Sequence, residues 1–300
     1  MSGFLSNGMQ PKFDGQQALK FVQRAFDRLR NRLRWPERDY LVNLDRKFIY
    51  CHIPKVACSS LKRWFLLASG MENSQIDSPH ALAANYRLGG LSAQRWFSVL
   101  HDPTFLRFAF VRNPWARLVS AYLNQLLIRT PVSEPVLQFV HTRRGRDSTS
   151  GMPGECTDIT FRSFLEFLSA GRPEKFDGHW KPQYLFFEAN RFHLIGRFER
   201  LADDFTIVAQ MLGIEHRLPH ENATKYAANQ RSVELVADLL PRELFALPAM
   251  PSYQAFYTPS LRDLAAHVYS KDIELFGYRF EEGVPPLVRR PLRGPAMVRI

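Results

Sequence analysis

The sequence predicts an α/β fold: a central parallel sheet with helices on both faces. Three observations carry that expectation. Short β-prone apolar runs alternate with helical patterns along the chain, and two of these alternations form tight strand–turn–helix units. In addition, 45% of the 300 residues are hydrophobic, enough material for a large buried core.

The elements follow in order. Residues 16–34, QQALKFVQRAFDRLRNRLR, set Leu19, Val22, Phe26, Leu29 and Leu33 at helical spacing against a strongly basic face, and Trp35-Pro36 ends the run. This reads as a surface helix packed on the domain, or as an amphipathic helix in peripheral contact with an anionic membrane. RKFIYCHIP is a strand stopped by Pro54. KVACSSLKRWFLLASG then enters a helix that Ser59 or Ser60 caps and Gly70 terminates. FLRFAFV, from Phe105, is a second strand, Arg112-Asn113-Pro114 a turn, and Trp115 to Ile128 a helix with Pro114 at its start.

Residues 129–158 carry Pro, Gly, Ser, Thr and the run HTRRGRD with little periodicity, and read as an exposed basic loop. FRSFLEFLSAG is a short helix, RFHLIGRFE a third strand, and LADDFTIVAQMLG a third helix ending at Gly213. One further helix is expected over 258–275, with Leu261, Leu264, Ala265, Val268 and Tyr269 on one face. From Gly283 the Pro- and Arg-rich tail reads as irregular. The organisation is therefore a basic helical region over 1–40, one domain over 41–282 and a tail over 283–300.

Composition narrows the function. Lys plus Arg is 40 against 29 for Asp plus Glu, a net charge of +11, which favours polyanionic partners. Cys51, Cys58 and Cys156 form neither a disulfide framework nor a structural zinc spacing, so a reducing compartment fits. The first residues carry no secretory signal, and no apolar run reaches the roughly 18 residues that a membrane span needs, so the expected location is the cytoplasm. No helix-turn-helix, zinc or RNA-recognition signature accompanies the basic charge, and no nucleic-acid partner is expected.

Two segments carry chemistry. Pro54-Lys55-x-x-x-Ser59-Ser60 between a strand and a helix is a phosphate-binding arrangement: a helix N-terminus offers free N–H groups and Lys55 adds a point charge. It is not a nucleotide triphosphatase loop, since G-x-x-x-x-G-K-[ST] is absent and no glycine lies between 51 and 69. R-N-P-W-A-R-L-V-S repeats the plan, with Arg112 at a strand end, Arg117 next and Ser120 about two turns into the helix. Together they grip two phosphate groups of one ligand at the sheet edge, or else Arg112 caps carbonyls and Ser120 packs.

CHIPKVACSSLKRW and FAFVRNPWARLVSAY resemble the 5′-phosphosulfate and 3′-phosphate segments of PAPS-dependent sulfotransferases. Their form is closest to the Golgi carbohydrate sulfotransferases acting on chondroitin and dermatan, with their bacterial relatives. F-x-x-F-L-E-F-L, His179-Trp180-x-Pro182, I-G-R-F-E-R-L-x-D-D-F and Y-S-K-D-I-E-L-F-G-Y extend the likeness in family order over about residues 46–280.

The resemblance implies a P-loop-like sulfotransferase fold and an enzyme moving a sulfuryl group from PAPS to a carbohydrate hydroxyl without a metal. It implies that the backbone of Val56, Ala57, Cys58, Ser59, Ser60 and Leu61, with both serine hydroxyls, holds the 5′-phosphosulfate. Lys55 would neutralise the bridging oxygen, while Arg112 and Ser120 bind the 3′-phosphate. Family members often carry Gly where this chain has Ala57, which narrows the room for backbone approach. The base is expected at His80, in the polar segment IDSPHAL where related glycan sulfotransferases place a histidine. His52 is core or cofactor-adjacent, His179 structural or acceptor-facing, and His101 and His141 are surface residues. Cys58 lends its backbone and Cys51 is core. Arg143-Arg144-Gly145-Arg146 steers an anionic acceptor or is a solvated loop, and Glu199 and Arg200 orient cofactor groups or form a surface pair. Two other readings stand beside this one: a kinase-like transferase on the same scaffold, and a basic polyanion-binding protein.

Overall fold

The computed structural model describes residues 39–126, 134–143, 159–215, 217–219, 235–281 and 283–291. The expected basic helix over 16–34 lies outside them. Leu41–Asn43 (β1) turns back into Phe48–Cys51 (β2), and Cys58–Ala68 (α1) follows. Pro79–Ala83 (α2) and Ala93–His101 (α3) lead to Leu106–Val111 (β3) and Pro114–Ala121 (α4). After Glu134–Arg143 (α5) and Phe161–Ala170 (α6) come Leu194–Arg197 (β4) and Leu201–Leu212 (α7). Pro241–Phe245 (α8), Pro259–Val268 (α9), Ser270–Phe276 (α10) and Val288–Arg289 (β5) complete the order.

The strands form one sheet in the order β1-β2-β3-β4-β5. The centre is parallel as expected: Cys51 pairs with Ala109, and Val111 with Arg197. Both edges are antiparallel. Alternation along the strands divides the core. Phe48 and Phe108 meet Trp64 of α1, Tyr50 stacks on Phe108, and Trp64 in turn packs edge-on against Phe205 of α7, ring centroids 4.9 Å apart. On the other face the Cys51 thiol reaches the Phe186 carbonyl, and the Tyr278 hydroxyl donates to the Val111 carbonyl. Cys51 is core, as expected.

Four expectations need correction. The 129–158 stretch is not wholly irregular, because Glu134–Arg143 is helical, with Val136 and Val140 buried. The helix expected to reach Ile128 is α-helical only to Ala121 and becomes one π-helical turn over Tyr122–Leu126. The single helix over 258–275 breaks at Tyr269 (φ −107°, ψ 24°), whose buried ring sends its hydroxyl to the Trp180 carbonyl at 2.7 Å. The tail is not wholly irregular either: Val288–Arg289 adds a strand to β4, and Arg290 N–H donates to the His193 carbonyl. Gly213 ends α7 in the left-handed region at φ 61°, as expected. No described helix is long and apolar enough to cross a membrane.

Candidate active site

The parallel register puts the C-terminal ends of β2, β3 and β4 side by side. The chain leaves them at His52, Arg112 and Phe198, so the two motifs meet at one sheet edge. After β2 the backbone makes an unusual turn. Lys55 (φ 68°) and Ala57 (φ 48°) are both left-handed without being glycine, a conformation costing about 1–3 kcal/mol each. Tertiary contacts hold it. Val56 between them is fully buried, Arg117 Nε donates to the Pro54 carbonyl at 3.0 Å, and Arg112 Nη1 donates to the Lys55 carbonyl at 3.1 Å.

Ala57, not Ser59 or Ser60, is the residue that opens α1, and it offers no side-chain cap. Leu61 N–H makes the first intrahelical bond, to the Ala57 carbonyl, so Cys58, Ser59 and Ser60 form the first turn. The correction has a chemical meaning. No acidic side chain stands in that turn, so the positive helix end faces the loop without a carboxylate beside it.

The second loop is clamped at every polar atom of its backbone. The Gln183 amide takes both the N–H (2.9 Å) and the C=O (2.8 Å) of Arg112. Asp272, fully buried in α10, in turn accepts the N–H groups of Gln183 (2.7 Å) and Tyr184 (2.8 Å). Burial pushes the Asp272 carboxyl up to about 6 against those bonds. Glu199 accepts Asn113 N–H at 2.7 Å and the Tyr278 hydroxyl at 2.9 Å. It is a strut for the turn, and Arg200 pairs separately with Asp204. Asn113 caps α4 by accepting from Trp115 and Ala116 N–H.

What remains of Arg112 points to a ligand. Its guanidinium lies 4.2 Å over the Phe198 ring, and Nε is buried with no hydrogen-bond partner. Ser120 is buried, and its hydroxyl makes no hydrogen bond within the described residues. Arg117 is structural. Fully buried, it also binds the carbonyls of Lys181 (2.8 Å) and Gly178 (3.1 Å), tying the first loop to the His179-Trp180-x-Pro182 segment.

His80, on α2, reaches the first loop. Its Nε2 lies 2.9 Å from Ser59 Oγ and its Nδ1 3.2 Å from Lys62 Nζ. Lys62 was absent from the sequence-derived site. Its signal was the Lys of C-S-x-x-K-R, one helical turn past Ser59 and so on the same face. Burial lowers the Lys62 ammonium from its ordinary range. His52, beside this pair, is pushed down to about 3 by burial, with Lys62, Arg87 and His80 adding to the shift.

The other candidates lie apart from these contacts. His179 Nδ1 bonds Asp177 at 2.6 Å, a local turn contact, and His101 stacks on Phe97 at the surface. His141, on α5, is partly exposed, as is Cys58. Arg143 pairs with Glu166. Arg144, Gly145, Arg146 and Cys156 lie outside the described residues.

Two strand–turn–helix loops, linked by an arginine at the C-terminal edge of the parallel strands, make a P-loop-like arrangement. The chain belongs to the sulfotransferase family, whose sequence profile matches residues 38–279. Mouse carbohydrate sulfotransferase 11 is 28% identical over 207 residues, 65% of this chain and 57% of that protein. Zebrafish carbohydrate sulfotransferase 14 is 29% identical over 223 residues (71% and 59%), and the human form 30% over 233 residues (71% and 60%). The chain thus spans a little under two thirds of these relatives' length. No solved structure matches it.

Proposed function

We propose that this chain transfers a sulfuryl group from PAPS to a hydroxyl of a carbohydrate. The observation that carries the reading is the bond from Arg112 to the Lys55 carbonyl, which joins the two loops, with the Arg112 Nε and the uncapped start of α1 left over. An orphaned buried donor and a vacant helix end are what a nucleotide bearing a phosphate at each end would satisfy. Bound there, PAPS supplies the sulfuryl group and, through its 3′-phosphate, the feature that separates it from simpler nucleotides.

The protein's part is electrostatic. The first-turn N–H groups of α1 and the Ser59 and Ser60 hydroxyls hold the 5′ end, and Lys55 stands where negative charge collects on the departing phosphate. Arg112 and Ser120 take the 3′-phosphate, the Phe198 ring keeping the guanidinium flat beneath it. His80 accepts the proton of the sugar hydroxyl. The relatives' names support a carbohydrate acceptor.

Calorimetric titration with PAP, AMP and ATP tests the reading. PAP is expected to bind at least about tenfold more tightly than AMP, a difference of about 1.4 kcal/mol. Equal affinity for the two would mean that no 3′-phosphate is read, and the proposal would fail. Given that preference, labelled sulfate from PAPS should appear on a glycan acceptor.

A further inference from the structure

Lys62 is a buried cation at this site to which the roles above give no work. It is only 5% exposed, and among the described residues its one hydrogen bond runs to His80 Nδ1 at 3.2 Å. An ammonium has donors and no acceptor. Nδ1 must therefore hold its lone pair, the ring proton must sit on Nε2, and Nε2–H donates to Ser59 Oγ at 2.9 Å. A proton on Nδ1 would instead require Lys62 as a neutral amine, since two facing donors at this distance repel.

We propose that Lys62 is the positioning residue of His80: it decides which ring nitrogen carries the proton, and so whether Nε2 faces the loop as a donor or as a base. The proposal rests on the sulfuryl-transfer reading with His80 as the proton acceptor. While Lys62 is charged, Nε2 is protonated and can take nothing from a sugar hydroxyl. When Lys62 loses one proton to solvent, the ring exchanges tautomer through water, giving up its Nε2 proton and taking one at Nδ1, which donates to the neutral Nζ and leaves Nε2 bare. The sugar oxygen then bonds to sulfur as its proton passes to Nε2. The sulfur–oxygen bond to phosphate breaks with its electron pair leaving on the phosphate, and the Nδ1 proton moves to Nζ, restoring the ammonium.

Burial lowers the Lys62 ammonium from its ordinary range, which brings the neutral amine closer to neutral pH. The charged or titratable described groups that act on the pair are Asp39, His52, Cys58 and Arg87. Arg87 favours the neutral amine, while Cys58 and Asp39 favour the ammonium. His52, pushed down to about 3, carries no charge near neutral pH.

The test uses the full chain with 15N-labelled histidine and PAP bound, as wild type, Lys62→Met and Lys62→Arg. At pH 7 the wild-type His80 is expected to show a bare Nδ1 and a protonated Nε2, and Lys62→Met to distribute its ring proton over both nitrogens. A guanidinium cannot give up its proton. Lys62→Arg is therefore expected to have a kcat about tenfold below Lys62→Met, with PAP affinity within about threefold in all three proteins, although it preserves the charge. Lys62→Arg at wild-type turnover, or identical nitrogen patterns in wild type and Lys62→Met, would overturn the proposal. His80→Ala separates the two levels of the argument. Retained turnover there would remove His80 as the base and overturn the catalytic role given to Lys62, while the nitrogen pattern of the wild type still reports whether Lys62 holds the ring proton on Nε2.

Discussion

Lys55 and Ala57 show how a short loop stores a conformation it would not adopt alone. Neither is glycine, both are left-handed, and the cost is met by two arginines from the next strand–turn–helix unit binding the carbonyls of Pro54 and Lys55. Arg112 thus holds the loop, and in the proposed function it also takes the 3′-phosphate. Arg112→Ala is expected to weaken PAP binding by about 10- to 100-fold, the worth of a charge-assisted hydrogen bond or two, and AMP binding by much less. Unchanged PAP affinity would move the 3′-phosphate elsewhere. In the proposed function Lys55→Ala removes the charge beside the departing phosphate while leaving Val56 and the arginine contacts in place, so turnover is expected to collapse while the melting temperature stays within a few degrees. The sequence named Lys55 and Arg112 because each stands in a local motif, and His80 because it lies between those motifs in a polar segment where the family resemblance implies a base. It did not name Lys62, whose role depends on a helix beginning at Cys58 and on His80 folding back over it.

The three parallel strands were legible as elements because their apolar runs are continuous and the first two end at Pro54 and at the Arg112-Asn113-Pro114 turn, whereas the short edge strand β1 was not read. The misjudged elements share a cause: tertiary contacts overrode local pattern. Tyr269 continues an apolar helical stripe, yet its hydroxyl is anchored on Trp180 and the helix breaks there. Val288–Arg289 sits in a Pro-rich tail and is a strand only because β4 offers an unpaired edge. Gly196 of β4 shows packing at its tightest, since a Cβ there would fall 2.3 Å from the Phe110 ring in the centre of the sheet. Gly196→Ala is expected to destabilise the fold by about 1–3 kcal/mol in urea unfolding, the usual cost of overpacking. A neutral result would mean that the Phe110 ring can turn aside freely.

Asp272 joins regions far apart in the chain. From α10 it holds Gln183, and Gln183 holds both backbone polar atoms of Arg112, so the last helices set the geometry of the second loop. Its carboxyl stands at about 6 rather than 3.8 because burial outweighs the hydrogen bonds it accepts. Between those values the folded state keeps a proton that the unfolded chain has lost. Its contribution to stability therefore falls as pH rises through that window, by about 3 kcal/mol, and is level above it. Asp272→Asn removes that slope. The stability difference between wild type and variant, measured by urea unfolding at pH 4 and 6.5, is expected to shift against the wild type as pH rises, and a constant difference would show that the carboxyl titrates normally. The sequence by itself determined the α/β class, the two strand–turn–helix units and the family resemblance, because each is written in contiguous residues whose periodicity and turn chemistry act locally. Only the tertiary structure decided that Ala57 opens α1 without a cap, that Arg117 and Glu199 are struts, and that Lys62 meets His80. Those outcomes depend on which buried donor finds which acceptor across tens of residues, and that choice is fixed by packing alone.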